Sequence, residues 1–297
     1  MIRAVADVTL ANYPLLRRGK VRDVFDLGDN LLLVASDRIS AFDVVLPSLL
    51  PGKGALLTGI SRFWFDQIAG MVSTQMTGAE PESLDLVDGE REQLAGRSVI
   101  VRKAERIDVE CVMRAYLAGT AWKEYLATGT VAGIPMPTGL QRGDRLPEVL
   151  FTPAIKNDDG HDENISTETL RSMVGDDLAS RLESQSRQIF AFGTEIAATA
   201  GFQLADTKFE FGWIDGELAV IDEVLTPDSS RYWDFADMTP GVEPPAYDKQ
   251  IIRDWLEGTG WDKTPPGPEL PADIIEQAMT RYRAVETRLR DSRGDNK

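Results

Sequence analysis

The sequence predicts an α+β protein with two closely packed lobes. We expect a β-rich N-terminal lobe over residues 1–103 and a larger mixed α/β part over residues 104–297. A chain of 297 residues suits one large domain or two packed lobes. The first hundred residues read mostly as short apolar strands, and the remainder mixes apolar stripes at helical spacing with further strands.

The elements of the N-terminal lobe follow from local patterns. Residues 21–27 and 31–36 are apolar runs that the turn Gly28-Asp29-Asn30 can join into a hairpin. Apolar residues recur at helical spacing after Lys53-Gly54, which predicts a helix, and residues 97–103 predict a further strand.

Two helices and two loops are predicted in the larger part. Apolar residues from Leu178 to Ile196 fall on one helical stripe, and Gly201 is placed to end that helix. The last helix is predicted to begin at Asp273, a residue type favoured at N-cap positions, and to continue through Leu289. Residues 129–153 and 259–271 are rich in glycine or proline, so we expect loops there.

Composition limits the available chemistry. The chain has one cysteine, Cys111, and one histidine, His161, which leaves no internal disulfide and argues against a zinc site built from such residues. A single thiol fits a reducing cytoplasm. Carboxylates are abundant, so Mg²⁺ is the metal we expect.

The charge balance limits the partners. The formal net charge is −16, and an acidic chain is a poor nucleic-acid binder because that affinity comes largely from clustered Lys and Arg. No apolar run is long enough to cross a bilayer, and the first residues lack the apolar stretch of a signal peptide. We expect a cytoplasmic protein with small-molecule substrates, no nucleic-acid or membrane partner, and no obligate protein partner.

A glycine beside basic residues opens the first predicted hairpin. In Arg18-Gly19-Lys20-Val21-Arg22-Asp23, backbone N–H groups and cations could lie against phosphates. The segment is not a Walker motif, which ends in Gly-Lys-Ser/Thr. A tight turn with solvated charges is the alternative.

Two further polar clusters adjoin apolar segments. Residues 36–43 place two Asp, one Arg and two Ser directly after a strand, where binding residues and ordinary turns are both common. In residues 110–120, Glu110 and Arg114 would be neighbours on a helix or would share one face of a strand. A surface ion pair is the alternative to a functional site.

Residues 204–212 alternate strictly and predict a strand. On it, Asp206, Lys208 and Glu210 share one face, opposite an aromatic face that includes Phe209. An amphipathic strand with its polar face in water is the alternative.

The chain then turns at Asp215-Gly216 and returns towards Asp222, so the register decides what meets Lys208. A two-residue turn would put Asp222 opposite Phe209 and bury it unpaired, which costs several kcal/mol. We therefore predict a three-residue loop with Gly216 in the left-handed conformation, which places Asp222 opposite Lys208. Glu210 and Asp222 would then lie within reach of one Mg²⁺.

Two polar segments complete the candidates. Residues 226–233 form a turn in which Arg231 could bind a phosphate or carboxylate bidentately. Residues 151–156 lead through Lys156 into a polar loop that holds His161, the only histidine. A capped turn and an incidental surface histidine are the alternatives.

Together these segments resemble the SAICAR synthetase family, in order from Gly19 to about Leu256. Residues 206–212 look like the hallmark strand of the family, and residues 110–120 look like its other signature. The chain departs from the family just before that stretch at Asp108, where proline is common, and within it at Met113, where a smaller residue is usual, and at Thr120, where serine is usual. Residues 36–43, 161–166 and 222–233 resemble the longer branch of the family.

The resemblance implies a two-lobed fold related to ATP-grasp and kinase-like nucleotide binders, with the active site in the cleft between the lobes. It implies a ligase that joins carboxyaminoimidazole ribotide (CAIR) to L-aspartate with ATP and Mg²⁺, giving SAICAR, ADP and phosphate in purine biosynthesis. Its residue assignments form five groups. The implied ATP-binding residues are Gly19, Lys20, Val21, Arg22, Asp23, Lys103, Ala104 and Glu105. The implied ribotide-binding residues are Arg114, Thr120, Asp206, Lys208 and Arg231, and the implied catalytic residues are Lys20, Asp206 and Lys208. The implied metal ligands are Glu210 and Asp222, and the residues implied around aspartate or the ribotide phosphate are Asp37, Arg38, Ser40, Lys156 and His161.

The implied reaction needs no protein nucleophile. The ribotide carboxylate would attack the γ-phosphorus of ATP, and the aspartate amine would displace phosphate from the acyl phosphate. Asp206 or His161 would accept the amine proton, and the sequence does not decide between them.

Three other functions share part of this pattern of residues. A protein kinase should show a His-Arg-Asp loop and an Asp-Phe-Gly motif, and neither is present. A non-catalytic nucleotide-binding module has no need for six polar clusters. The sequence distinguishes this ligase least well from a related amide ligase that uses another amine, because the residues that bind the amine are the least well assigned.

Overall fold

The computed structural model of the chain describes residues 3–156 and 163–294. Strands and helices are mixed, which confirms the predicted α+β class. The strands are β1 (Leu15–Arg18), β2 (Arg22–Asp26), β3 (Asn30–Ala35), β4 (Arg38–Ala41), β5 (Val44–Leu49), β6 (Ser73–Thr74), β7 (Ser98–Arg102), β8 (Glu105–Tyr116), β9 (Thr130–Val131), β10 (Ile134–Pro135), β11 (Arg145–Phe151), β12 (Ala154–Ile155), β13 (Glu163–Asn164), β14 (Phe202–Ile214), β15 (Glu217–Ile221) and β16 (Ser230–Asp234). The α-helices are α1 (Lys53–Ile68), α2 (Glu90–Leu94), α3 (Gly119–Thr128), α4 (Thr167–Val174), α5 (Asp176–Thr199), α6 (Gln250–Gly258) and α7 (Ala272–Ser292).

The chain folds into two compact units that are discontinuous in sequence. Unit 1 comprises Met1–Glu105, Ile214–Ala219 and Asp248–Glu286. Unit 2 comprises Arg106–Trp213, Val220–Tyr247 and Thr287–Lys297. The chain therefore returns to unit 1 twice after leaving it.

Unit 1 is built on an antiparallel sheet in the order β1-β2-β3-β7. The β2–β3 hairpin pairs Arg22 with Ala35 and Asp26 with Leu31, which confirms the predicted hairpin. Its buried face packs Phe25 and Leu32 into one apolar cluster. β4 and β5 form a separate hairpin. The predicted helix, α1, is present, and it begins at Lys53 rather than after Gly54.

A buried ion pair ties the start of unit 1 to this sheet. Asp37 is fully buried and accepts hydrogen bonds from Arg97 Nη1 at 2.9 Å and from the N–H groups of Val5 and Gly54 at 2.8 and 2.9 Å. Burial alone would raise the pKa of Asp37, but the hydrogen bonds from Arg97 and the two backbone N–H groups outweigh it and lower the pKa below its usual range. The Asp37 carboxylate therefore has all its partners inside the protein.

Replacing Asp37 with asparagine is expected to destabilise the fold by roughly 3–5 kcal/mol at pH 7, because it leaves Arg97 buried without a charge partner. A carboxylate with a lowered folded-state pKa stabilises the fold above its unfolded-state pKa and loses that effect as the pH falls through the folded-state value. The gap in thermal midpoint between the wild type and D37N should therefore narrow as the pH is lowered from 7 towards 3. Glu80→Gln, which breaks an exposed ion pair with Arg62, is the control and should change stability by at most about 1 kcal/mol.

Unit 2 contains most of a larger sheet. Its strands run in the order β13-β12-β8-β14-β15, with β11 also pairing with β8 and β16 with β14. The strand order ends at β6, which belongs to unit 1 together with the first residues of β15. α5 matches the predicted helix, and Gly201 follows it with φ 78°. Two long central strands, β8 and β14, therefore carry neighbouring rows of side chains.

Three loop and boundary predictions have different outcomes. Residues 259–271 carry no helix or strand, as predicted. The prediction of a loop over residues 129–153 is wrong, because β9, β10 and β11 lie there, and glycines with positive φ such as Gly133 and Gly143 form the turns near them. α7 begins at Ala272, so Asp273 lies in its first turn and does not cap it.

Among the helices in residues 3–156 and 163–294, none is long and apolar enough to cross a membrane.

Candidate active site

The extended conformation of β8 decides between the two alternatives for residues 110–120. Glu110 and Arg114 lie four residues apart on one strand, so they share a face, and a helix begins only at Gly119. β14 lies next to β8 in the sheet and carries Asp206, Lys208 and Glu210. The polar faces of these two strands form two clusters, one around arginines and one around lysines.

The arginine cluster consists of Arg114, Asp206 and Arg231. Arg114 Nη1 donates to Asp206 Oδ2 at 3.2 Å, and Arg231, which pairs with Asp206 across β14 and β16, donates to the same oxygen. The other nitrogens of Arg114 donate to hydroxyls, Nε to Thr152 at 2.9 Å and Nη2 to Thr120 at 3.1 Å. Each contact fixes the guanidinium planes, so the cluster is ordered without a ligand.

The charges of this cluster favour an anion. Burial lowers the pKa of Arg114, while Asp206 acts in the opposite direction, and a guanidinium remains charged at neutral pH. Two guanidiniums share one carboxylate, so these three side chains together carry one net positive charge in a mostly buried position. Arginine forks match phosphate and carboxylate geometry, so a bound anion can complete the pairing.

The N-terminus of α3 adds to this positive site. α3 begins at Gly119 and its N-cap, Ala118, provides no side-chain cap. Uncapped N–H groups and the helix dipole both attract anions. Gly119 has φ 57°, and a Cβ there would lie 2.5 Å from Arg231 Nη2. The absence of a side chain at Gly119 therefore lets Arg231 lie against the start of the helix.

Replacing Gly119 with alanine is expected to displace the Arg231 guanidinium and to raise KM for the phosphorylated substrate about 10-fold. The left-handed backbone should cost a further 1–2 kcal/mol, roughly, in stability. Gly129→Ala is the matched control: Gly129 ends the same helix at φ 74° with nothing within 4 Å of an added Cβ. It should lose similar stability and keep its KM, and equal KM values for the two variants would contradict the role of Gly119.

The second cluster consists of three carboxylates and two lysines. Lys208 donates to Glu110, and Lys156, which follows β12, donates to Glu210. Lys208 Nζ also lies 3.8 Å from Glu210 Oε1. Burial acts to lower the pKa of Lys208, but the carboxylates of Glu110, Glu210 and Asp222 outweigh it and raise that pKa. The surrounding carboxylates therefore hold Lys208 as a cation.

The predicted register of the β14–β15 hairpin is wrong. The turn has two residues, Asp215 and Gly216, with φ 52° and 80°, as in a type I′ turn. This turn carries position 222 opposite Phe209, on the aromatic side. The strand ends at Ile221, however, and Asp222 adopts φ 67°. That left-handed residue takes the carboxylate out of the strand alternation, so Asp222 still acts on Lys208.

A second left-handed residue follows shortly after Asp222. Leu225 is fully buried at φ 51°, and its carbonyl accepts a hydrogen bond from the Tyr232 hydroxyl. A Cβ at Gly193 of α5 would clash with the Leu225 side chain. Packing and a buried hydrogen bond therefore hold a backbone that a non-glycine residue rarely adopts, as is typical of functional sites.

These residues fit a magnesium ion only with a substrate present. In residues 3–156 and 163–294, no group of three or more His, Cys, Asp or Glu side chains is arranged as a metal site. Glu210 and Asp222 supply two carboxylates beside Lys208. Mg²⁺ is commonly held by one or two carboxylates together with substrate phosphates and water, so two suffice for that arrangement.

Arg38 forms hydrogen bonds to the glycine-containing loop of unit 1, residues 18–23. Arg38 donates to the carbonyls of Gly19 at 3.2 Å and Lys20 at 3.1 Å, and to Asp23 Oδ1 at 2.6 Å. Within the part of the chain that the structure describes, the N–H groups of Lys20 and Val21 make no hydrogen bond to the protein. A Cβ at Gly19 would lie 2.7 Å from the Arg22 carbonyl oxygen, so this tight turn requires glycine.

The remaining predicted nucleotide residues lie at strand ends of unit 1. The exposed Lys20 ammonium pairs with Asp43 in the turn between β4 and β5. Lys103 donates to Asp26 at 2.8 Å. Lys103 and Ala104 connect β7 to β8, of which Glu105 is the first residue.

Three residues predicted around aspartate or the ribotide phosphate lie inside unit 1. Asp37 and Arg38 are buried and bound by internal partners, so their geometry is that of structural residues. Asp23, predicted to touch nucleotide phosphates, is buried against Arg38 and supports the loop from inside. Ser40 lies in β4 opposite Val45. His161 lies outside the described residues.

Two residues of unit 2 that hold site residues were not among the predicted ones. Thr152 holds Arg114 through Nε, and Glu110 holds Lys208. Glu110 lies in a recognised segment but was assigned no role. Thr152 reaches Arg114 only because β11 pairs with β8, a long-range pairing that no local pattern shows.

The fold and these clusters define a class of enzyme: an α+β protein whose fixed arginines, lysines and paired carboxylates suit phosphorylated anionic substrates. A sequence profile of SAICAR synthetase matches residues 15–268. The chain is 47% identical over 281 residues to phosphoribosylaminoimidazole-succinocarboxamide synthase of Elusimicrobium minutum, covering 94% of this chain and 96% of that protein. It is 48% identical over 269 residues to the enzyme of that name from Leptospira interrogans, covering 91% and 94%.

A solved structure supports the same family. SAICAR synthase from Saccharomyces cerevisiae, complexed with SAICAR, superposes with a TM-score of 0.87 at 37% identity, over 96% of this chain and 98% of that chain. The chain belongs to the SAICAR synthetase family. The predicted family, fold class and ligase activity in purine biosynthesis are confirmed.

Proposed function

We propose that this chain condenses CAIR with L-aspartate at the expense of ATP, through an acyl phosphate, and that its own clusters hold the ribotide and Mg²⁺. The observation that carries the proposal is the arrangement of β8, β14 and β16, which brings Arg114, Asp206 and Arg231 into one ordered group. Family membership supports the overall reaction, and the contacts in unit 2 support the residue roles.

The ribotide is the anion that we assign to the arginine cluster. Arg114 and Arg231 point their guanidiniums at one Asp206 oxygen, and the α3 N-terminus lies against Arg231. A phosphate bound there would receive charge-assisted hydrogen bonds from the arginines, Thr120 and the backbone N–H groups. Asp206 acts in this assignment as the anchor that orients both arginines.

Glu210 and Asp222 are assigned to Mg²⁺. When bound, Mg²⁺ neutralises charge on the phosphoryl oxygens of ATP. Lys156 and Lys208 hold the carboxylates in place and supply fixed positive charge beside them. We assign Lys156 to this cluster in addition to the predicted contact with aspartate or phosphate.

The nucleotide phosphates are assigned to the unit 1 loop. Arg38 holds the Gly19 and Lys20 carbonyls inward, which leaves the N–H groups of Lys20 and Val21 for phosphate oxygens. Lys20 would leave Asp43 to neutralise the transferred phosphoryl group. The chain between Lys103 and Glu105 is assigned to the adenine, by backbone hydrogen bonds.

Alignment and charge neutralisation account for the chemistry of this site. The ribotide carboxylate attacks the γ-phosphorus, ADP leaves, and the aspartate amine then displaces phosphate from the acyl phosphate. Alignment of reactants can supply roughly 7–11 kcal/mol of the barrier. Asp206 and His161 remain the two candidates for accepting the amine proton. We place the reaction in the cytoplasm, a location that the single, buried Cys111 supports.

Phosphate release from ATP and Mg²⁺ with CAIR, measured with and without L-aspartate, tests the proposal. Release that requires both substrates, with an amide product by mass spectrometry, is the expected result. Release with CAIR and a different amine would retain the mechanism and change the substrate. Folded protein that shows no CAIR-dependent release would overturn the proposed function.

A further inference from the structure

Unit 2 contains a cavity that the proposed reaction does not use. Its volume is about 440 Å³, and it lies between α5, the end of β8, β11 and the start of β14. Met113 and Ala115 line it, and these residues flank Arg114 in β8. The residues that line the cavity include none of those assigned to ATP, the ribotide or Mg²⁺. The cavity is therefore separate from the candidate active site.

The floor of the cavity is apolar. Met113 is fully buried, Ala115 and Phe190 are nearly so, and Phe190 comes from α5. Methionine sulfur and a phenylalanine ring both make favourable contacts with aromatic groups. A cavity of this size with such a floor suits a small planar ring system.

Polar groups at the cavity are placed for an anion. Tyr116 is only 8% exposed, yet its hydroxyl makes no hydrogen bond to any residue in the described ranges. Arg145 pairs with Tyr116 across β11 and β8, and its exposed guanidinium has no ion pair or hydrogen bond among those residues. Arg187 adds a second positive charge, although it already donates to Glu183 and to the Val149 carbonyl. The Tyr116 hydroxyl itself keeps some solvent exposure, so it can donate a hydrogen bond to a ligand that enters the cavity.

Burial raises the pKa of Tyr116, against an opposite effect from Arg145. The hydroxyl therefore carries its proton at neutral pH and is a donor. A carboxylate accepts from such a donor and from a guanidinium fork at once. The exposed Glu195 carboxylate, also at the cavity, disfavours a second negative charge.

We propose that this cavity is a binding site for a small aromatic monocarboxylate, with its ring on Met113 and Phe190 and its carboxylate on Tyr116 and Arg145. The site is independent of the condensation reaction. It adds a second ligand to an enzyme whose substrates are assigned elsewhere.

Calorimetric titration of the full chain with naphthalene-2-carboxylate, and with the uncharged naphthalene-2-carboxamide, tests the proposal. We expect saturable binding of the carboxylate at one site and much weaker binding of the amide. Arg145→Gln should weaken carboxylate binding about 10- to 100-fold, because a charge-assisted hydrogen bond is lost. Ala191→Phe, at an exposed α5 position that lines the cavity, should fill the space and abolish binding of both compounds.

Arg171→Gln is the matched control, because Arg171 is an exposed arginine of α4 that does not line the cavity. It should bind the carboxylate like the wild type, and circular dichroism should show all three variants folded. The proposal would be overturned if the wild type did not bind the carboxylate, or if R145Q or A191F bound it with the affinity of the wild type. Displacement of the carboxylate by ADP or CAIR would also overturn it, since the compound would then occupy the active site.

Discussion

Replacing Glu210 with glutamine, or Asp222 with asparagine, is expected to lower kcat by roughly 10³-fold. Each change removes one of the two carboxylates assigned to Mg²⁺, and the charge stabilisation lost is several kcal/mol. Both substitutions keep the side-chain volume, but Glu210 is buried and pairs with Lys156, so E210Q should also lower the thermal midpoint. D222N changes a half-buried residue and should lower the midpoint less. The measurement is the steady-state rate of phosphate release as a function of Mg²⁺ concentration.

The Mg²⁺ dependence separates a ligand role from a structural one. A variant that lacks a metal ligand should need more Mg²⁺ for half-maximal rate, whereas a merely distorted site should not shift that concentration. Glu168→Gln, an exposed carboxylate on α4, serves as control and should leave both quantities unchanged. Near-normal rates in both E210Q and D222N would show that the metal is bound elsewhere.

Arg231→Lys is expected to raise KM for CAIR about 10- to 100-fold. The Arg231 guanidinium lies against Gly119 while donating to Asp206, and we assign the ribotide to this cluster. Lysine keeps the charge but presents a point charge, so it cannot reproduce a bidentate fork. Initial rates at varied CAIR and saturating ATP measure the effect.

The matched control is Arg171→Lys, since Arg171 makes an exposed contact with Asp176 on the surface of unit 2. Its KM for CAIR should equal that of the wild type, and KM for ATP should hardly change in either variant. If R231K keeps the wild-type KM for CAIR, the arginine cluster does not bind the ribotide.

Local patterns predicted the elements whose causes are local. The hairpin of β2 and β3, helix α5 and the alternation of β14 all follow from apolar periodicity and turn residues, and all are observed. The grouping of Asp206, Lys208 and Glu210 on one face needed only the two-residue period of a strand.

Long-range pairing and backbone conformation could not be predicted in this way. Asp222 was expected to continue the strand, but the strand ends at Ile221 and Asp222 has a positive φ, so strand alternation does not apply to its side chain. Asp37 and Arg38 were predicted to lie around aspartate or the ribotide phosphate, but both are buried, and the pairing of Asp37 with Arg97 spans 60 residues of sequence. Thr152 depends on β11 lying beside β8, which local sequence does not encode.

The left-handed backbone at Asp222 sets a limit on how this enzyme can be stabilised. A non-glycine residue in that conformation costs roughly 1–2 kcal/mol, and glycine would remove the cost. Glycine would also remove a carboxylate assigned to the metal. Selection for thermal stability alone would therefore favour glycine at position 222 at the expense of activity. A consensus or directed-evolution library should keep Asp222 unchanged.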